Sequence, residues 1–77
     1  MKKEIIVLTE RWVVIGDVNK FGDELEVSNA SVIRYWGTKR GLGEIAIDGP
    51  TDKTILDFVG ILRIPVHAVI FRIICQK

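Results

Sequence analysis

The stretch Tyr35–Thr54, YWGTKRGLGEIAIDGPTDKT, brings together residue types that suit the capture of an anion. Gly37, Gly41 and Gly43 leave backbone N–H groups unobstructed by Cβ atoms, a geometry that favours anions, above all where a helical turn begins. Lys39 and Arg40 add two adjacent cations and Thr38 a hydroxyl. Arg34 and Trp36 lead into the loop, and a guanidinium plane or an indole there can stack on a base. The candidate contact residues are therefore Arg34, Trp36, Gly37, Thr38, Lys39, Arg40, Gly41 and Gly43, and the candidate ligand is a small phosphate-bearing molecule. A plainer reading is equally open: three glycines that turn the chain and a Lys-Arg tip that is merely solvated. No Walker lysine follows the glycines and no G-x-G-x-x-G opens a dinucleotide unit.

Catalytic and metal chemistry find less support. His67 is the only histidine and sits in an alternating apolar run, without the positioned partner that general acid–base work needs. Cys75 has no neighbouring histidine and reads as a small apolar residue. Glu44, Asp48, Asp52 and Asp57 match no metal-loop spacing. The expectation is a protein that is not an enzyme and has neither cofactor nor metal.

Seventy-seven residues make a single domain. A chain of this size buries only about 60–65% of its unfolded surface, yet 48% of its residues are apolar. Homo-oligomerisation is the expected way of covering the excess. The net charge of +1 excludes a global basic field, so any nucleic-acid contact must be local. One cysteine excludes an intrachain disulfide and a multi-cysteine zinc site and fits a cytoplasmic home, which in a virus means the host cell. The start, MKKEIIVL, lacks the h-region of a signal peptide because Thr9, Glu10 and Arg11 end its apolar run. Arg63, Pro65, His67 and Arg72 break the longest apolar stretch, so no segment is expected to span a membrane.

The elements that must hold the loop read as β throughout. Ile5–Leu8 and Trp12–Ile15 are β-branched or aromatic runs, either two strands or one bulged strand. Asn19–Asp23 is a hairpin turn carried by Gly22. In the run ELEVSNASVIRYW, Ser28-Asn29-Ala30 marks a bulge or sharp bend. Leu42, Ile45 and Ala46 share one face of a short helical turn over 41–47, which Asp48-Gly49-Pro50 stops. Thr54–Leu56, Phe58–Ile64 and Val66–Cys75 return to strand, with Pro65 at an edge or kink. The last strand is apolar on both faces, so it is either central in a closed barrel or covered by a partner subunit. Trp12 and Trp36 are expected in the core or an interface. The fold class is all-β, mainly antiparallel, a small partly open barrel or sandwich of 5–7 strands with one helical turn.

Ala30, Ile33 and Trp36, followed by Leu42, Glu44, Ile45 and Gly49, and the closing run AVIFRIIC resemble a pattern in small uncharacterised all-β proteins encoded by phages and prophages. The resemblance extends from about Val13 to Cys75. It departs at Arg34-Tyr35, where that pattern has a tryptophan followed by an arginine. It implies a viral or mobile-element setting, in which small oligomeric proteins bind host factors or signalling nucleotides as anti-defence or accessory proteins. Alternative functions are a protein-binding inhibitor or small structural subunit, and a nucleic-acid-binding small barrel.

Overall fold

A computed structural model describes residues 2–77, and for Lys2 the backbone alone. Five antiparallel strands, β1 (Lys2–Leu8), β2 (Val13–Phe21), β3 (Glu24–Tyr35), β4 (Ile55–Pro65) and β5 (Val69–Ile74), form one sheet in the order β4-β3-β2-β1-β5. One helix, α1 (Leu42–Asp48), lies between β3 and β4 in sequence. The sheet is not closed: β4 and β5 are its two edges. This is the all-β, partly open architecture that the strand runs predict, and it removes the closed-barrel alternative for the last strand.

Local chemistry accounts for the joints. Thr9–Arg11 forms a 3-10 turn that separates β1 from β2, with Glu10 and Arg11 both at positive φ and the Leu8 N–H donating to the Trp12 carbonyl at 2.8 Å. The β2–β3 turn is tighter than expected, because Phe21 pairs with Glu24 and only Gly22-Asp23 remain as loop. Thr54–Leu56 and Phe58–Ile64 are not separate strands. Apart from Thr54 they belong to β4, whose pairing with β3 shifts rather than stops. Val66–Ala68 coils into a 3-10 turn, so the last strand begins at Val69 and the alternation expected from Val66 fails over those three residues.

The predicted bend at Ser28–Ala30 is real and has a specific cause. Ile15 pairs with Ser31 and Asp17 with Ser28, so β3 carries one extra residue opposite Gly16. Asn29 takes φ +50 there and donates through its side chain to Asp17 at 3.3 Å. Bulges of this kind bend a strand and increase its twist.

The curling yields two cores, one on each face. On the face covered by α1, Leu42, Ile45 and Ala46 pack with Ile5, Val13, Ile15 and Ile33. On the opposite face no helix is needed: Ile6 and Val14 meet Leu25, Val27, Ala30 and Ile64 from the bent half of β3 and from β4. Neighbouring Ile5 and Ile6 on β1 are thus both fully buried, on opposite faces. Fully burying such a side chain contributes about 1.5–3 kcal/mol relative to exposure. Among the described residues no helix is long and apolar enough to cross a membrane.

Candidate functional site

The loop between β3 and α1 is built against the loop before β4. Threonine hydroxyls hold the two together: Thr51 Oγ1 donates to the Gly37 carbonyl at 2.7 Å, and Thr54 Oγ1 to the Trp36 carbonyl at 2.6 Å. Gly37 sits at φ +63, and a Cβ there would lie 2.5 Å from the Lys53 carbonyl carbon. Glycine is required at this position by the approach of two backbones. Thr38 Oγ1 donates to the Gly41 carbonyl at 2.8 Å, closing the turn into α1. Trp36 lays its ring against Gly41, within 3.7 Å of where a Cβ would be.

The cations divide into two kinds. Arg34 donates twice to Asp57 of β4, from Nε at 2.9 Å and Nη2 at 3.2 Å, and this carboxylate raises the guanidinium pKa above its ordinary value. Arg40 donates from Nη2 to Asp48 at 2.7 Å and stands 3.5 Å from Glu44. Both arginines are thus neutralised within the chain. Among the described residues, Lys39 and Lys53 have no ion-pair partner.

The chain's own acid reaches the start of α1 at one amide. Glu44, three residues past Gly41, accepts a hydrogen bond from the Arg40 N–H at 3.2 Å. That amide precedes the N-cap Gly41, and α1 itself has no side-chain cap hydrogen bond. Gly43 faces open space inside α1 and meets no neighbour.

What the loop does create is a cleft of about 400 Å³ between the two stapled segments, lined by Tyr35, Gly37, Thr38, Lys39, Glu44 and Thr51–Lys53. Of the sequence-derived candidates, Gly37, Thr38 and Lys39 come together there. Arg34 and Trp36 line a neighbouring depression with Tyr35. Arg40, Gly41 and Gly43 line neither. The contribution of Thr51, Asp52 and Lys53 was not anticipated; the signal was the Thr51-x-x-Thr54 pair of hydroxyls just after Pro50.

A second cleft, of about 420 Å³, opens on the other side of Arg34. Trp12 and Arg11 wall it with Arg34 and Asp57, over a floor of Val13, Val32 and Ile33. Trp12 is 58% exposed and Trp36 is also exposed, so neither belongs to the core of the single chain. His67 is exposed in the turn before β5. Cys75 is half-buried, and burial pushes its thiol pKa up, which makes it a poor nucleophile at neutral pH.

The molecule is thus defined as a small open antiparallel sheet with one helix and a threonine-stapled polar cleft. No protein-family model, curated protein or solved structure matches the chain.

Proposed function

We propose that this protein is a non-enzymatic, homo-oligomeric binding module, of the accessory or anti-defence kind that its phage-like residue pattern suggests, acting in the cytoplasm. The observation that carries the reading is the apolar surface of both edge strands. Ile55, Leu56, Phe58, Val59 and Ile61 on β4, and Ile70, Phe71 and Ile74 on β5, are all exposed. Exposed edge strands of soluble proteins are normally short, charged or covered, and a contiguous apolar patch marks an interaction site. Assembly was expected through the last strand alone; the distribution of exposed side chains extends it to β4. The experiment is the mass in solution: a stable multiple of the 8.7 kDa chain is expected, and a monomer at tens of micromolar overturns the reading.

The cleft beside Gly37 is the surface this assembly presents to a ligand or host factor. Lys39 and Lys53 favour an anionic group there, Glu44 being paired with Arg40 and Asp52 alone opposing them, with Tyr35 and Trp36 beside it for a ring. Titration with a nucleoside monophosphate tests this half. We expect Lys39→Ala/Lys53→Ala to weaken binding about tenfold or more, since hydrogen bonds to charged groups contribute about 1.5–3 kcal/mol. Equal affinity of the variant and the parent, or none in the parent, removes the anion from the account.

A further inference from the structure

The geometry points to single-stranded nucleic acid as the ligand, held along a track that runs from Trp12 over the end of β3 to Lys53. The inference rests on the anion-binding reading of the cleft beside Gly37 and extends that cleft from one phosphate to several nucleotides.

The track is continuous because its three depressions share residues. The cleft beside Gly37 has Tyr35, Gly37 and Thr38 in common with the depression at Trp36, and that depression has Arg34 in common with the cleft at Trp12. Topology brings them to one end of the sheet, where β2 begins, β3 ends and β4 begins, as the pairs Val14–Val32 and Tyr35–Ile55 require. Arg34 joins the two sides. It is the extra residue of a bulge, since Ile33 pairs with Leu56 and Tyr35 with Ile55, and bulges re-aim side chains.

The rings come next. Both tryptophans and the single tyrosine lie along this track. Trp12 and Tyr35 are each 58% exposed and Trp36 43%. Their faces are not taken by cations of the chain, because the one cation–π contact among the described residues is Arg63 over Phe21. Arg34 adds a further flat surface, its guanidinium held in place by two bonds to Asp57. Flat surfaces in series along a cationic path accept the faces of successive bases.

Charge sets the sign of the ligand. Among the residues lining the track, Asp57 is paired with Arg34, and Glu44 with Arg40. Arg11, Lys39 and Lys53 are left without an ion-pair partner among the described residues, against Asp52. Glu10, next to Arg11 in sequence, lines none of the three depressions. Arg11 lines the cleft at Trp12 and the two lysines the cleft beside Gly37, with the rings of Tyr35 and Trp36 between them. A nucleoside monophosphate has one phosphate to share between these ends, whereas a strand carries one for every base. An acidic peptide satisfies the cations but brings no planar groups for the rings, and a duplex has no free base faces.

The turn that presents Arg11 and Trp12 is held in an uncommon conformation. Glu10 and Arg11 take φ +63 and +67, a region disfavoured for residues other than glycine. Such residues persist where their surroundings fix them and gather at binding sites. Here the bond from the Leu8 N–H to the Trp12 carbonyl closes the turn at 2.8 Å.

Titration calorimetry tests the track, with an oligothymidylate of about ten nucleotides, within the site sizes of single-strand-binding domains, set against thymidine monophosphate. We expect the oligonucleotide to bind about a hundredfold tighter or more, because each stacked base contributes about a factor of ten. Trp12→Ala is expected to weaken the oligonucleotide about tenfold, and Trp12→Phe, which keeps a ring, to restore most of that loss. Because Trp12 is exposed, neither substitution disturbs folding. Independently, Arg11→Ala is expected to lower the log–log slope of affinity against salt by about 0.7, the share of one phosphate on a single strand. An oligonucleotide held no more tightly than the monophosphate, a Trp12→Ala variant of parental affinity, or a salt slope untouched by Arg11→Ala overturns the track and leaves the anion cleft standing. A poly-glutamate peptide bound as tightly as the oligonucleotide also overturns it, in favour of an acidic protein partner. Failure of both thymidylates to bind overturns the underlying reading instead.

Discussion

Replacing Arg72 by methionine is expected to destabilise the fold by about 2–4 kcal/mol, more than truncating any exposed charge. Glu4 is the one buried charged residue among those described, 8% exposed on the strand between β2 and β5. Its carboxylate accepts two hydrogen bonds from Arg72, from Nε at 2.6 Å and from Nη2 at 2.9 Å. Taking a carboxylate out of water costs several kcal/mol, and the guanidinium offsets this only while it is in place. Arg72→Met leaves the carboxylate behind without its partner. The figure lies below that for a fully enclosed pair because the Arg72 side chain is still 43% exposed.

The hydrogen bond to Glu4 raises the Arg72 pKa above its ordinary value. A raised folded pKa gives stability that is complete below the unfolded pKa and lost only as pH rises through the folded one. For a guanidinium that window is beyond the alkaline range of ordinary work. The double variant Glu4→Leu/Arg72→Met should recover most of the loss, because apolar replacement of such a pair is often neutral. Urea midpoints of the three proteins measure the difference, and equal losses in the single and double variants would contradict the assignment.

Gly16→Ala is expected to cost about 1–3 kcal/mol, and Gly16→Val more, by overpacking. A Cβ at Gly16 would stand 2.5 Å from Val27 Cγ1 and 2.8 Å from the Ser28 carbonyl oxygen. Val27 is fully buried in the core, and the carbonyl belongs to the bulge that bends β3, so neither neighbour gives way easily. The substitution therefore acts on the bend that brings Leu25 and Val27 over Ile6 and Val14. Thermal unfolding reports it, since 1 kcal/mol shifts the midpoint of a domain this size by about 4–8 °C. A Gly16→Ala midpoint at or above the parental one would show that the bulge relaxes freely.

The residues that announced structure were those whose effect is local. The alternation of β-branched side chains marked the strands, Gly22 the hairpin, Ser28-Asn29-Ala30 the bend, and Leu42, Ile45 and Ala46 the buried face of α1. The final strand was correctly read as apolar on both faces. Only strand order shows that it is an edge, and order depends on pairings distant in sequence, such as Ile5 with Ile73. Val66–Ala68 read as strand because their composition is apolar, whereas the observed 3-10 turn begins directly after Pro65.

The loop was legible as chemistry but not as electrostatics. Nothing near Arg34 in sequence identifies Asp57 as its partner, 23 positions away. Arg40, just before α1, and Glu44 within it are four positions apart and could have been read as an ion pair, which would have withdrawn both from the list of free groups. Lys53 enters the cleft only because Gly37 lets the two loops touch.

In the proposed assembly the open sheet is completed by other copies of itself. Light scattering coupled to size separation, run from micromolar to hundred-micromolar chain, tests it most directly. A species of at least twice the 8.7 kDa chain mass is expected, held at high salt because the covering surface is apolar and its charges are paired within the chain. A single 8.7 kDa species across that range would contradict it.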